Sequence, residues 1–141
     1  MQLEVKINLI LHATENENKI LEVLEKVFGI AQKNFQIEQI QGHFNNPILL
    51  ISSKLKKKNA QQFIKLFFSK IRKNDFQEVF DNVEDYVTSS GLSLRINKQK
   101  LVCEIVTISK ADAIKINIST PVYVKNETKK IYQELMDNQS S

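Results

Sequence analysis

Apolar and polar residues alternate through the first strand-length segment. Leu3, Val5, Ile7, Leu9 and Leu11 share one parity, and Glu4, Lys6, Asn8 and His12 share the other. A strand sends successive side chains to opposite faces, so residues 3–12 are predicted as a strand with one buried face. Ile10 is the one apolar residue on the polar parity. Thr14-Glu15-Asn16-Glu17 then reads as a capping box, with Thr14 accepting from the first free N–H groups and Glu17 reaching back three residues. The helix behind it runs to about Phe28, with Ile20, Leu24, Val27 and Phe28 on one stripe. Gly29 supplies the left-handed residue that closes it.

Phe35 to Gln41 reads as a second strand, with a bulge near Glu38 and Gln39 where the parity slips. Gly42-His43-Phe44-Asn45-Asn46-Pro47 is a turn, because Gly and Asn tolerate positive φ and Pro47 has no N–H to donate. Ile48-Leu49-Leu50-Ile51 is apolar on both parities and is predicted as a strand covered on both faces. Residues 56–73 carry Ala60, Phe63, Ile64, Phe67, Phe68 and Ile71 at helical spacing. Asn74 ends that helix and Asp75 caps the next, in which Phe76, Val79, Phe80, Val83 and Val87 recur with a period of 3.6 until Ser89-Ser90-Gly91.

Leu92–Ile96 and Leu101–Ile105 suggest a hairpin turning at Lys98-Gln99, with Ile96 opposite Leu101 and Leu94 opposite Cys103 on a buried face. Ile114, Ile116 and Ile118 alternate with Lys115, Asn117 and Ser119 in a last strand. A helix over 125–137 turns Ile131 and Leu135 inward. The order β-α-β-β-α-α-β-β-β-α predicts an α+β fold: a mostly antiparallel sheet with helices packed on one face.

Composition fits this picture. With 141 residues, 42% of them apolar, and only 3 Gly and 2 Pro, the chain reads as one regular domain over residues 1–138, with 139–141 fraying. No run approaches the ~20 apolar residues of a membrane span. The start lacks the basic and apolar blocks of an export signal. Cys103, the only cysteine, lies in an apolar run and is expected to be buried. These features predict a cytoplasmic protein with no membrane partner.

Charge changes the picture more than composition does. Lys and Arg number 20 against 16 Asp and Glu, a formal net charge of +4. From Gln39 to Asn74 there is no acid, whereas Lys54, Lys56, Lys57, Lys58, Lys65, Lys70, Arg72 and Lys73 all lie there. Asp75, Glu78, Asp81, Glu84 and Asp85 follow with no base before Ser90. Two readings fit: a basic helix and its leading loop lying along phosphates, or two helices of opposite sign pairing with each other. The lysines at 54–58 favour the first, because cations at a helix start oppose the helix dipole. Lys6, Arg95, Lys100 and Lys115 fall on the solvent parity of their predicted strands. Without aromatics at strand spacing, such a face suits contacts to nucleic-acid backbone, not base stacking on rings.

Catalytic chemistry has little to stand on. His12 and His43 each flank a turn. Two histidines, one unpaired cysteine and no His-x-x-x-His or Cys-x-x-Cys spacing do not make a metal set, and they read more readily as structural residues. There is no Gly-rich phosphate loop and no nucleophile elbow. No metal, cofactor or enzymatic activity is expected. A hydrolase built around His12 and His43 is the least favoured reading.

His12-Ala13-Thr14-Glu15, Gly42-His43-Phe44-Asn45-Asn46-Pro47-Ile48 and Leu94-Arg95-Ile96-Asn97-Lys98-Gln99 occur in an order and spacing that resembles the archaeal RNA-binding proteins catalogued as exosome-subunit-like. The likeness covers residues 3–120. It implies a fold like that of ribosomal large-subunit protein five, RNA binding, and a link to RNA processing. It also implies functional positions at His12, Thr14, Glu15, Gly42, His43, Asn46, Arg95, Lys98 and Gln99. Asn45 stands where the family usually has Gly, Asn97 where Asp is usual, and Ala113 where Pro is common after Asp112. The Asn97 substitution removes a carboxylate that a metal or general-base role there would need.

The sequence therefore predicts an RNA-binding module contacting backbone through Lys54, Lys56, Lys57, Lys58, Arg95, Lys98, Lys100, His12 and His43. Its expected partners are RNA and exosome or ribosome-related proteins. The alternative is a protein-interaction subunit of an RNA-processing complex, docking through the acidic helix 75–88 or an open sheet edge without touching RNA.

Overall fold

The alternation at the start of the chain becomes β1 (Glu4–His12), whose residues are buried and exposed in turn. The computed structural model describes residues 3–12, 15–41, 46–111 and 113–140, with side chains described to residue 137. β1 leads to α1 (Glu17–Phe28), and β2 (Gln36–Gln41) to β3 (Pro47–Lys56). Three helices follow: α2 (Lys57–Lys70), α3 (Lys73–Asp81) and α4 (Val83–Tyr86). Then come β4 (Val87–Thr88), β5 (Gly91–Asn97), α5 (Lys98–Val102), β6 (Ala113–Ser119) and α6 (Thr128–Ser140). The strands form one antiparallel sheet in the order β2-β3-β1-β6-β5-β4. The fold is α+β, with the helices on one face of this sheet.

The core lies between that face and the helices. Val5, Ile7, Leu9 and Leu11 of β1, Leu92, Leu94 and Ile96 of β5, and Ile114, Ile116 and Ile118 of β6 are all buried there. Above them a ladder of phenylalanines ties three helices together. Phe28 of α1 sits 5.1 Å from Phe63 and 5.8 Å from Phe67 of α2. Phe67 meets Phe68 edge-on, Phe68 meets Phe76 of α3 edge-on, and Phe76 stacks on Phe80. Truncating a fully buried ring of this kind to Ala costs about 3–5 kcal/mol.

Several local expectations change. Thr14 lies outside the described residues, and the α1 N-cap is Asn16, whose side chain accepts from the Lys19 N–H at 3.2 Å. Gly29 closes α1 in the left-handed conformation, as its position implied. β2 has no bulge, because its pairing with β3 is continuous from Gln36↔Ser52 to Gln41↔Pro47. The parity slip arises because Ile37 and Ile40 point to opposite faces and both stay exposed. β3 is far longer than residues 48–51: Ile51, Ser53 and Leu55 point inward, and Lys54 and Lys56 point outward. It is also open on one side, since Ile48 and Leu50 are only half-buried.

The helix expected over 75–88 breaks at Asn82. Asp75 does not cap it. Its carboxylate accepts instead from the Thr107 hydroxyl at 2.6 Å and the Ile108 N–H at 3.1 Å. The hairpin over 92–105 is absent. Asn97 caps a helical turn by accepting from the Lys100 N–H at 2.8 Å. β5 already pairs with β6 on one side, and the Thr107 carbonyl and Ser109 N–H bond to Asn97 and Arg95. Residues 101–105 thus have no strand to join, and Cys103 is exposed, not buried.

Gly91 shows how closely this end of the sheet is packed. Its φ is +120°, and a Cβ there would collide with the Ile118 carbonyl oxygen of β6. Gly91→Ala combines backbone strain with that collision and is expected to destabilise the fold by at least about 2 kcal/mol. A fall in the urea unfolding midpoint at unchanged slope would register it, and an unchanged midpoint would contradict it.

Candidate nucleic-acid interface

No described helix covers the second face of the sheet, and its side chains can be read row by row from the register. At one end Lys56, Glu4 and Ser119 stand side by side, followed by Lys54, Lys6, Asn117 and Ser93. The central row runs Gln36, Ser52, Asn8, Lys115 and Arg95, spanning β2, β3, β1, β6 and β5. Beyond it lie Glu38, Leu50 and Ile10, and then Ile40, Ile48 and His12. Successive rows are about 6.6 Å apart along the strands, and neighbours within a row about 4.8 Å apart.

The face therefore has two characters. The Lys56 end and the β6–β5 side are cationic, whereas the His12 end of β1, β3 and β2 is aliphatic. Ile10 remains 47% exposed and Ile40 37% exposed. Where the two meet, a shallow concavity of about 790 Å³ is lined by Asn8, Ile10, His12, Leu50, Arg95, Lys110 and Lys115, with Gln36, Glu38 and Ser52 at its β2 side. Lys110 joins them because residues 107–109 run beside Arg95 and Asn97, held by the Ser109 N–H to the Arg95 carbonyl at 2.8 Å.

The cations on this face are not equally compensated. Lys6 and Lys54 face each other across β1 and β3, and Glu4 lies 3.8 Å from one and 3.6 Å from the other. Arg95 and Lys115 also face each other, across β5 and β6, but neither forms an ion pair with a described residue. Like charges directly opposite on a sheet repel each other. Among the described residues lining the concavity, the carboxylate is Glu38, on β2 at the far side of β3 and β1 from Lys115.

The nine residues singled out in the sequence separate accordingly. Lys54, Lys56, Arg95 and His12 share the open face and are exposed. Lys57 and Lys58 begin α2, where the chain turns from β3 directly into the helix. Lys57 has φ +54° and donates its N–H to the Leu3 carbonyl. Lys100 is exposed on α5, which packs beside α1 and is not part of the sheet. His43, with Gly42, lies outside the described residues. Of the other positions implied by resemblance, Asn46 and Gln99 are exposed.

Lys98 corrects the expectation of an exposed contact. Only 2% of it is accessible. Its Nζ donates to the Ile10 carbonyl at 2.7 Å and to Glu15 at 3.0 Å, and Glu15 also accepts from the His12 N–H. This cation ties the end of β1 and its outgoing loop to the end of β5, so two of the motifs quoted above meet in one buried pair.

Three contributors to the interface were not among those nine. Lys115 belongs to the cationic sheet face that the sequence predicts to suit nucleic-acid backbone, without being one of the nine. Lys110 has no periodicity to reveal it, since it lies in an irregular segment. Ile10 did leave a signal, its break in the alternation of β1. Tyr123, in the loop after β6, is 92% exposed and close in sequence to Lys125. Among the described residues, no three His, Cys, Asp or Glu side chains converge to hold a metal ion. No helix among the described residues is long and apolar enough to cross a membrane.

The sheet is thus clad by helices on one side, with cations from several strands gathered on the other. Residues 4–120 match the family described as RNA binding, and the chain belongs to that family. It is 29% identical over 126 residues to the RNA-binding protein PAB1135 of Pyrococcus abyssi, covering 84% of this chain and 82% of that protein. The fold matches protein AF2318 of Archaeoglobus fulgidus with a TM-score of 0.78 at 22% identity, covering 96% of this chain and 99% of that one. It matches the DUF54 protein Mth689 of Methanothermobacter thermautotrophicus with a TM-score of 0.73 at 24% identity, over the whole of both chains.

Removing the Lys98 cation leaves the Glu15 carboxylate, largely buried, without its counter-charge. Lys98→Met is expected to destabilise the protein by about 3 kcal/mol. Adding Glu15→Gln should recover part of that loss. Urea unfolding of the two single variants and the double variant measures the coupling, and strictly additive losses would refute it.

Proposed function

We propose that the chain binds RNA through the open face of its sheet. Arg95, Lys115 and Lys110 contact phosphates on one side of that face, and Lys54, Lys56 and Lys6 contact them on the other. The observation that carries this reading is the Arg95–Lys115 pair, two opposed cations with no ion-pair partner among the described residues. A fold gains nothing locally from such a pair, whereas a polyanion neutralises both at once and releases its own counterions. Membership of an RNA-binding family and likeness to a protein named for RNA binding support the same ligand. Lys57 and Lys58 extend the cationic edge around the start of α2. His12 borders the opposite end, and His43 belongs to the same proposal by resemblance.

In this reading the role is non-catalytic and cytoplasmic. Recognition rests chiefly on backbone charge, and association with exosome or ribosome-related proteins in RNA processing follows from the family likeness. A second reading is favoured by a separate observation. The edge strand β2 is exposed along its whole length, including Ile37 at 44% and Ile40 at 37%. An unguarded edge can take up a strand from a protein partner. Association with an RNA-processing complex that survives nuclease treatment would support that reading over RNA bridging.

Fluorescence anisotropy against a labelled RNA, titrated over a range of salt, tests the RNA reading. Arg95→Ala with Lys115→Ala should weaken binding and lower the slope of log affinity against log salt by about 1.4, about 0.7 for each contact on a single strand. Lys65→Ala, exposed on α2, should leave both unchanged. Binding that is absent at low salt, or indifferent to salt, would remove the proposal.

A further inference from the structure

The cationic rows account for phosphates, but they do not account for the aliphatic rows beside them. Ile10, Ile48, Leu50 and Ile40 are neighbours on β1, β3 and β2, on the same face as Arg95 and Lys115. Leaving such side chains open to water on the face that carries the cations is costly unless something apolar covers them. The concavity joins the two characters: Ile10 and Leu50 form its apolar floor, and Lys115, Arg95 and Lys110 form its cationic side. Asn8 stands next to Lys115, Ser52 and Gln36 continue that row toward β2, and Glu38 flanks Leu50. The first three are polar groups that can donate or accept at the edge of a flat ligand, and Glu38 accepts only.

A ligand matching this arrangement has an apolar flat face, hydrogen-bonding edges and a phosphate within reach of each flat unit. Unpaired nucleotides have all three. A paired helix does not, because its bases are stacked inside and it offers phosphates, hydroxyls and a shallow groove. Laid on this face, a duplex would press its phosphates against Ile10 and Leu50 and strip them of water. Resting on the RNA-binding reading above, we infer that this surface selects single-stranded RNA. Bases lie on the Ile10–Leu50–Ile48 strip, and their phosphates run along Lys115, Arg95 and Lys110. Aliphatic side chains replace the aromatic platform of other sheet-based RNA binders, so the strip covers bases with little preference among them. Asn8, Gln36 and Glu38 then supply what base discrimination there is.

The test compares one labelled oligoribonucleotide as a single strand and as a duplex with its complement, by anisotropy with the full chain. The single strand should bind at least about tenfold more tightly. Ile10→Ser with Leu50→Ser should lower single-strand affinity about tenfold, with the salt slope unchanged, because the lost contact is not ionic. Duplex affinity should not fall, because serine relieves the apolar contact that a paired helix meets there. Ile10→Ser alone, at a half-exposed site, gives a smaller loss in the same direction and guards against a folding defect, with circular dichroism as the check. Methyl resonances of Ile10 and Leu50 should shift on adding the single strand. Equal affinity for both forms, or serine variants that bind like the parent, would overturn the inference and leave RNA binding standing. Failure of the parent to bind either form would overturn the RNA reading itself. Saturable binding of an acidic amphipathic peptide at the same methyls, with no RNA binding, would replace the nucleic acid with a protein partner.

Discussion

The parity of β1 constrains everything on the open face. β1 is paired on both sides, with β3 over nine residues and with β6 over five, so its register is imposed on two further strands and, through β6, on β5. A slip of one residue would drive Glu4, Lys6 and Asn8 into the core and expel Val5, Ile7 and Leu9. Burying three polar groups while exposing three aliphatic ones costs more than any surface interaction could offset. The phenylalanine ladder above the inner face therefore holds the outer face in place without touching it. Lys115 stands opposite Arg95, and Ile10 opposite Leu50, because the inner residues next to them have nowhere else to go.

One joint lies outside the strand pairing. β1 ends where its neighbour β6 has already run into the irregular segment before it, and the Lys98–Glu15 pair holds this corner. The ammonium reaches the carbonyl of Ile10 itself, so the exposed isoleucine and the buried lysine are coupled through the backbone. Glu15 in turn binds the His12 N–H. Glu15 and Lys98, one from each of two sequence motifs, thus meet as supports of the face, positioning His12 and Ile10 without being displayed on it.

The sheet elements were legible because their signals are periodic. β1, β6 and the inner half of β5 follow from alternation alone, and α1 follows from its stripe and its closing glycine. What escaped was non-local. The hairpin at 92–105 looked sound because Leu101 and Cys103 continue an apolar alternation. Only the competition of β6 and of residues 107–109 for the edges of β5 excludes it. Lys98 is charged, and nothing in the sequence announces that a carboxylate 83 positions away will receive it. Leu50 and Ile48 read as doubly covered because apolar residues on both parities imply cover on both faces. The structure covers one face, and the other remains open. For the same reason the aliphatic rows of the open face left no signal in the sequence beyond Ile10, the break in the alternation of β1.

The distribution of carboxylates separates the cations paired within the fold from those without an ion-pair partner among the described residues. Two adjacent strands bring Lys6 and Lys54 together with Glu4 one row away, so that repulsion is met inside the protein. Lys98 is matched by Glu15, Lys26 by Glu104, and Lys129 by Glu84. Arg95 and Lys115 are opposed by register as closely as Lys6 and Lys54, yet no carboxylate of the described chain pairs with either. At the surface each unmet repulsion is small and screened by salt, so stability alone would scarcely select against it. Its position is what gives it weight. The unmet pair adjoins the aliphatic rows at the lip of the concavity, where the proposed anion with an apolar body would gain from both, and where an acid placed to relieve the repulsion would turn that anion away.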